Sequence, residues 1–328
     1  MRDHVAPRAA GASALARLDG VGVRRRAVIA DNVIRRALLT SAAAAIVIVV
    51  LVIVFIAIRA APVLTSIGAS AFFLSTRWDP DAAIGFGGLG HFGALTPVAG
   101  SLLAVALALL FAVPVALALA IVVAEVNPRL GRSLLRPAME VFLGIPSVVY
   151  GYVGLVVLLP RLVPLGSPGN TGAGFLAAGV VLALMIIPTI ATLSVDAFQS
   201  QPAALREGSI ALGATQWQTI SRVLLPASRA GVVSGVVLAL ARAMGEALAV
   251  ALVIGDVQHL PDFPHHGLRA LVEPGTTMTV AITDGLNNLA INPEGTAARY
   301  GLALILLAVT FSAIVVVRRL NRRGQVIV

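Results

Sequence analysis

The chain has 328 residues, 58% of them hydrophobic and 12% charged, with a formal net charge of +9 at pH 7. Those proportions and a mean hydropathy of +0.95 mark a polytopic membrane protein and exclude an ordinary soluble domain. There is no cysteine, hence no disulfide, thiolate metal site or thiol nucleophile, and every basic side chain except histidine is arginine, so no G-x-x-x-x-G-K-[ST] loop is present to hold ATP.

A spanning helix needs about 20 apolar residues, and six segments qualify: roughly 36–58, 95–124, 137–159, 174–198, 231–255 and 297–317. The fold class expected is therefore all-α, a polytopic bundle of six transmembrane helices. Residues 1–35 read as a basic cytoplasmic tail, 36–94 as the first span with an external segment, 95–318 as the transmembrane core, and 319–328 as a cytoplasmic tail. The N-terminus does not read as a cleavable signal, because a mostly polar stretch precedes an apolar run too long for one. In the tail, Arg24-Arg25-Arg26 and Arg35-Arg36 serve either as a topogenic cluster or as a short helix on anionic headgroups. The second span is long enough to tilt or to begin as an interfacial helix. Pro114, Pro146 and Pro188 fall inside spans, where a bundle tolerates them if neighbours satisfy the freed carbonyls.

Orientation follows from the arginines. An internal N-terminus puts the tail arginines inside together with Arg129, Arg132, Arg136, Arg206, Arg222, Arg229, Arg318, Arg319, Arg322 and Arg323. Only Arg59, Arg77, Arg161, Arg269 and Arg299 remain outside, with Arg242 in a span. The bias sets both termini and the loop at 199–230 in the cytoplasm. Arginines at span ends are explained by the positive-inside rule and anionic lipid, so nucleic acid is not expected as a partner.

The loop at 199–230 reads as two short helices. Pro202 suits a first helical position, Ala203 to Glu207 favour helix, and Gly213 suits a left-handed cap. Thr215 with Gln218 three residues on is a capping-box pattern. Trp217, Ile220 and Leu224 form an apolar stripe, and Pro226 closes the segment before the fifth span. In that span Arg242 and Glu246 are four apart, hence expected on one helix face. Two roles stay open for them: an ion pair that fixes packing, or a substrate pathway, in which a fixed cation favours an anion. Glu125, Glu140 and Asp196 lie near cytoplasmic ends and are expected to snorkel or to pair with Arg129, Arg136 or Arg206. The external loop around 256–296 holds His259, His265, His266, Asp256 and Asp262 without metal-ligand spacing, so no metal site is read, and no catalytic triad is found.

The stretch Glu207-Gly-Ser-Ile-Ala-Leu-Gly213, running on to Val223-Leu-Leu-Pro226, resembles the ATPase-gripping loop of permease subunits of binding-protein-dependent ABC importers. That loop is Glu-Ala-Ala, three residues, Gly, nine residues, Ile-x-Leu-Pro. Gly208 and Ser209 replace the alanines and Val223 the isoleucine. Three further stretches resemble PstC-type permeases of phosphate-specific ABC importers. They are Phe73-Leu-Ser-Thr-Arg-Trp-Asp-Pro80 with Phe86-Gly-Gly-Leu89, then Gly144-Ile-Pro-Ser-Val-Val-Tyr-Gly151, then Arg242-Ala-Met-Gly-Glu246. The last two occur broadly among phosphate permeases, PstA included; Trp78-Asp79-Pro80 and the basic tail favour the PstC type.

The resemblance implies a type I ABC importer permease in a bacterial cell membrane. It implies a PstA-like second permease, a PstB-like ATPase dimer, a PstS-like phosphate-binding protein, and no cofactor or catalysis on this chain. Arg206, Glu207, Gly213, Leu225 and Pro226 would couple to the ATPase, and Arg242 and Glu246 would face the anion. The alternatives are a permease for another oxyanion such as sulfate or molybdate, a secondary transporter without an ATPase, and a membrane-embedded enzyme. Copurification of an ATPase separates the first two, and the lack of a nucleophile–base set counts against the third.

Overall fold

The computed structural model describes residues 9–81, 90–166, 171–257, 260–284 and 292–323, with side chains described between residues 33 and 319. The stretch Phe86-Gly-Gly-Leu89, His259 and the side chains of the arginines before Arg35 and of Arg322 and Arg323 lie outside this description. The chain forms two compact units, residues 1–55 and 56–328.

The first unit is helical from Ala9 and belongs to a helix, α1, that runs Ala9–Ala60. The expected tail thus continues the first span as helix, because its alanine-rich sequence contains no proline after Pro7 to stop it.

In the second unit the helices are α2 (Ala69–Leu74), α3 (Leu95–Ile121), α4 (Pro128–Leu130), α5 (Arg136–Gly144), α6 (Ser147–Val153), α7 (Leu159–Leu162) and α8 (Phe175–Gln199). There follow α9 (Ala203–Ala211), α10 (Gln216–Gln218), α11 (Leu225–Met244), α12 (Leu248–Ile254), α13 (Phe263–His266), α14 (Met278–Thr283) and α15 (Pro293–Arg323). Wide π turns link α3 to α4 at Val122–Val126, α6 to α7 at Gly154–Leu158, and α10 to α11 at Thr219–Leu224. A two-residue antiparallel ribbon, Trp78–Asp79 (β1) on His91–Phe92 (β2), is the described sheet. Among the described residues six helical segments are long and apolar enough to cross a membrane: Val33–Ile67, Leu95–Val126, Ser147–Leu165, Phe175–Gln199, Gln216–Met244 and Pro293–Arg319.

The core is built by α8 against α3 and α11. Between apolar helices in lipid there is little hydrophobic drive, so close packing of small residues must hold them. On α3 that surface is an alanine stripe, Ala104, Ala108, Ala112, Ala116 and Ala120, all essentially inaccessible. On α11, Gly231 faces Ala197 of α8 and Gly235 faces Leu193 and Ile190.

Two expected spans are broken. The third, expected over 137–159, divides at Ile145-Pro146 into α5 and α6. Proline forces the residue before it out of the helical region, and Ile145 is extended (φ −69°, ψ 128°). Tyr150 crosses the break by donating its hydroxyl to the Phe142 carbonyl at 2.7 Å. The fifth, expected over 231–255, ends at Met244 and restarts at Leu248. At its beginning the correction runs the other way: Pro226 does not close a segment, because the helix is continuous from Gln216 to Met244. The π turn just before Pro226 accommodates the ring and the missing N–H.

At the end of the bundle carrying β1 and β2, Arg299 is 3% exposed and donates to an Asp81 carboxylate oxygen at 2.5 Å and to the Asp284 carbonyl at 2.9 Å. Asn292 accepts from Gly295 N–H at 2.8 Å and donates to the Pro80 carbonyl at 2.6 Å, so one amide joins the start of α15 to the ribbon.

Close approach fixes Gly100. A Cβ there would lie 2.0 Å from the Thr276 carbonyl oxygen, a backbone atom that cannot step aside. Gly100→Ala is therefore expected to destabilise the fold by about 1–3 kcal/mol, the usual cost of overpacking. A lowered thermal unfolding midpoint in detergent checks this; an unchanged midpoint contradicts it.

Candidate functional site

Two groups of residues carry the chemistry: the loop from Pro202 to Leu225, and the break in the fifth span with the segments around it.

In the loop, α9 starts one residue later than expected, with Pro202 as its N-cap. It ends in a complete Schellman cap. The Ala214 N–H donates to the Ser209 carbonyl at 3.1 Å and the Gly213 N–H to the Ile210 carbonyl at 2.9 Å, with Gly213 at φ +84°. Thr215 then opens α10 with the expected capping box: its hydroxyl accepts from Gln218 N–H at 3.3 Å, and the Gln218 side chain accepts from Thr215 N–H at 2.9 Å. The turn between the helices is thus Gly213-Ala214. Glu207, Gly213 and Pro226 are exposed, and Leu225 is half-buried.

Exposed beside them are Ile210, Trp217 and Leu212, the last 91% accessible. Of the expected stripe, Ile220 and Leu224 turn inward and Trp217 does not. An isoleucine, a leucine and a tryptophan on a polar loop are the apolar anchors a partner protein would cover.

Arg206 makes one of the pairings expected for the carboxylates near this end. Its guanidinium grips Glu125 at the end of the second span, Nε to Oε2 at 3.0 Å and Nη2 to Oε1 at 2.5 Å. It also donates to the carbonyls of Phe198 at 3.0 Å and Gln201 at 3.4 Å, at the end of α8. The hydrogen bond to Glu125 pushes the Arg206 pKa up from its already high value. Nearby, Arg136 bridges Asp196 at 3.1 Å and Glu140 at 3.6 Å. All three carboxylates singled out near this end are paired with arginine.

At the break, Arg242 and Glu246 do not share one helix face, since α11 ends at Met244 and Gly245 caps it. Glu246 folds back on the next helix, its carboxylate accepting from Ala249 N–H at 3.1 Å, while its carbonyl accepts the Thr279 hydroxyl at 2.7 Å. Thr279 pairs with the Thr277 hydroxyl at 3.1 Å, and Ser101 of α3 accepts from Met278 N–H at 2.7 Å. Glu246, Ser101, Thr277 and Thr279 line a cavity of about 10 Å³. The hydroxyls were not found from sequence; their signal was a Thr-Thr-Met-Thr run in a segment too short to span.

Arg242 is half-buried, and among the described residues no hydrogen bond or ion pair holds its guanidinium. An arginine at membrane depth without a partner demands water or an anion, whereas Glu246 has its hydrogen bonds made. The larger groove beside Tyr150, about 340 Å³ between α6–α7 and α8, is lined mostly by apolar side chains such as Val149, Val153, Val181 and Leu184, with Arg161 at its edge donating to the Val157 carbonyl.

In the loop beyond α12, His265 Nδ1 lies 2.8 Å from Asp262 and holds its carboxyl below the usual range, and His266 meets Glu273 at 2.5 Å. Among the described residues no group of three His, Cys, Asp or Glu is placed to hold a metal.

Residues 112–325 match the family described as binding-protein-dependent transport system inner membrane component. The chain belongs to this family. It is 38% identical to the probable ABC transporter permease protein YqgH of Bacillus subtilis, over 83% of this chain and 85% of that one. It is 32% identical to the phosphate transport system permease protein PstC of Pasteurella multocida, over 83% and 90%. With PstC 1 of Mycobacterium tuberculosis the identity is 35% over 76% and 82%. A solved inward-facing MetNI methionine ABC transporter superposes with a TM-score of 0.49 at 22% identity, over 71% of this chain and 94% of that one. The relatives are permease proteins, and the chain is a permease subunit of an ABC importer rather than an enzyme, which implies an ATPase and a substrate-binding partner.

The Schellman cap makes one position of the loop testable. A side chain at φ +84° costs about 1–2 kcal/mol, so Gly213→Ala is expected to speed amide exchange at Leu212 and Ala214 about five-fold or more. Unchanged exchange would contradict the cap as the feature that holds the turn.

Proposed function

We propose that this chain is the PstC-type permease of an ATP-driven phosphate importer, with both termini in the cytoplasm. In this reading it forms the phosphate pathway together with a PstA-like permease, receives phosphate from a PstS-like binding protein outside, and is driven by a PstB-like ATPase dimer. The tail 1–35, the first span with its external segment, and the core 95–318 then keep the roles their sequences give them.

The observation that carries the substrate class is Arg242. A cation with no counter-charge among the described residues, beside a helix break between apolar spans, lowers the barrier for an anion crossing a low-dielectric zone. Breaks of this kind free backbone groups to line a site, which continuous helices cannot do. The named PstC relatives supply phosphate as the anion. The ATPase role rests on the loop: Glu207 lies within α9 and Gly213 just past its C-cap Leu212, and Glu207, Ile210 and Leu212 are exposed. Leu225 and Pro226 lie where that loop enters the fifth span. Glu246 holds the restart of the helix beside Arg242 and shapes the site from behind.

The test is radiolabelled phosphate uptake in phosphate-starved cells with and without the chain, with sulfate and molybdate as competitors. Uptake is expected to vanish without the chain and to ignore both competitors; competition by either one would make the substrate another oxyanion. Arg242→Ala is expected to reduce uptake by roughly 100-fold or more, the scale of losing one fixed group that stabilises a charged transition state, with membrane insertion unchanged. Normal uptake by that variant would remove Arg242 from the pathway.

A further inference from the structure

Glu125 ends the π turn that extends α3, and only 8% of its side chain is exposed. A carboxylate so placed needs a cation that satisfies both oxygens, and a bidentate guanidinium is the strongest arrangement available. Arg206 supplies it from α9, and Gln216 of α10 donates its side-chain N–H to the Glu125 carbonyl at 3.0 Å. Because Arg206 also donates to the carbonyls of Phe198 at the end of α8 and of Gln201 just beyond it, α9, α3 and α8 meet at one side chain.

The attachment of α9 to α11 is of a different kind. It consists of the Gly213-Ala214 turn, the packing of α9 on the π turn Thr219–Leu224, and a hydroxyl pair, Ser209 with Thr219 at 3.0 Å. None of these is an ion pair, whereas a bidentate one ties α9 to the end of α3. The stiff connection of α9 is therefore to the second span, although α11 is its neighbour in sequence. Far along α3, about 36 Å away at 1.5 Å per residue, Ser101 holds α14, and α14 holds the Glu246 carbonyl beside the helix break.

We propose that the Glu125–Arg206 pair is a positioning clamp that makes α9 and α3 move as one body, so that the ATPase stroke reaches the helix break through the second span. This rests on α9 being the ATPase joint. Neither residue touches substrate; both act by holding the lever to the span it drives.

The experiment uses the full importer assembly in nanodiscs. The chain has no cysteine, so Ala204→Cys on α9 and Leu110→Cys on α3, both exposed, accept spin labels without background. The clamp predicts one narrow distance distribution that is the same without nucleotide and with ATP. In Glu125→Gln the distribution broadens with ATP, and substrate carried per ATP falls about 10-fold or more while hydrolysis and ATPase association persist. Arg206→Lys, which keeps the charge and loses the fork, shows the same change to a lesser degree. Glu125→Arg combined with Arg206→Glu narrows the distribution again.

A distance that shifts between nucleotide states in the otherwise unsubstituted chain would overturn the clamp. So would a Glu125→Gln assembly with narrow distances and full transport per ATP. The distance readout needs no transported substrate, so failure to carry phosphate would overturn the substrate reading alone. Loss of ATPase association in the unsubstituted chain would overturn the joint and the clamp's transmitting role together.

Discussion

A carboxylate withdrawn from water costs several kcal/mol unless a cation and hydrogen bonds replace the solvent. Glu125 is withdrawn, and the geometry of the whole loop end follows from how it is satisfied. The requirement draws Arg206 inward, which orients α9, which in turn leaves Glu207, Ile210 and Leu212 facing outward. The same guanidinium also donates to the Phe198 carbonyl at the C-terminus of α8. One electrostatic constraint thus decides which surface of the loop remains for a partner.

The middle of the bundle obeys a second rule, that backbone groups among apolar helices must be satisfied within the protein. Both broken spans comply by borrowing side chains. Tyr150 reaches back across the Ile145-Pro146 break, and beyond Gly245 the Thr279 hydroxyl satisfies the Glu246 carbonyl while the Glu246 carboxylate satisfies the Ala249 N–H. With those polar groups occupied, Arg242 is left as the charge next to the fifth-span break without a partner among the described residues. Under the proposed function, structure and transport chemistry are divided between neighbours: Glu246 holds the break, and Arg242 would meet the anion.

Much of this was legible in the sequence, and the failures share a cause. Spans built on hydrophobic length, such as α3 and α8, fall where the apolar runs predict, because transfer into lipid depends on composition summed over the segment. The loop was legible in detail, since Gly213, Thr215 and Gln218 act on backbone groups only a few residues away. The helix breaks at Ile145 and Gly245 were not, because an apolar count does not register where hydrogen bonding stops. Pro226 misled in the opposite sense, since a π turn absorbs it. The Glu125–Arg206 pairing, 81 residues apart in sequence, was one of several the charges allowed, and packing chose among them.

The account stands or falls on whether an ATPase covers the loop. The most direct measurement is the labelling rate of a single cysteine introduced at Leu212, with and without the ATPase bound. Leu212 is 91% exposed in the chain alone, so the account predicts fast maleimide labelling of the isolated permease, strong protection in the assembled importer, and a cross-link to the ATPase with a short bifunctional reagent. Equally fast labelling in the intact assembly, with no cross-link, would contradict it.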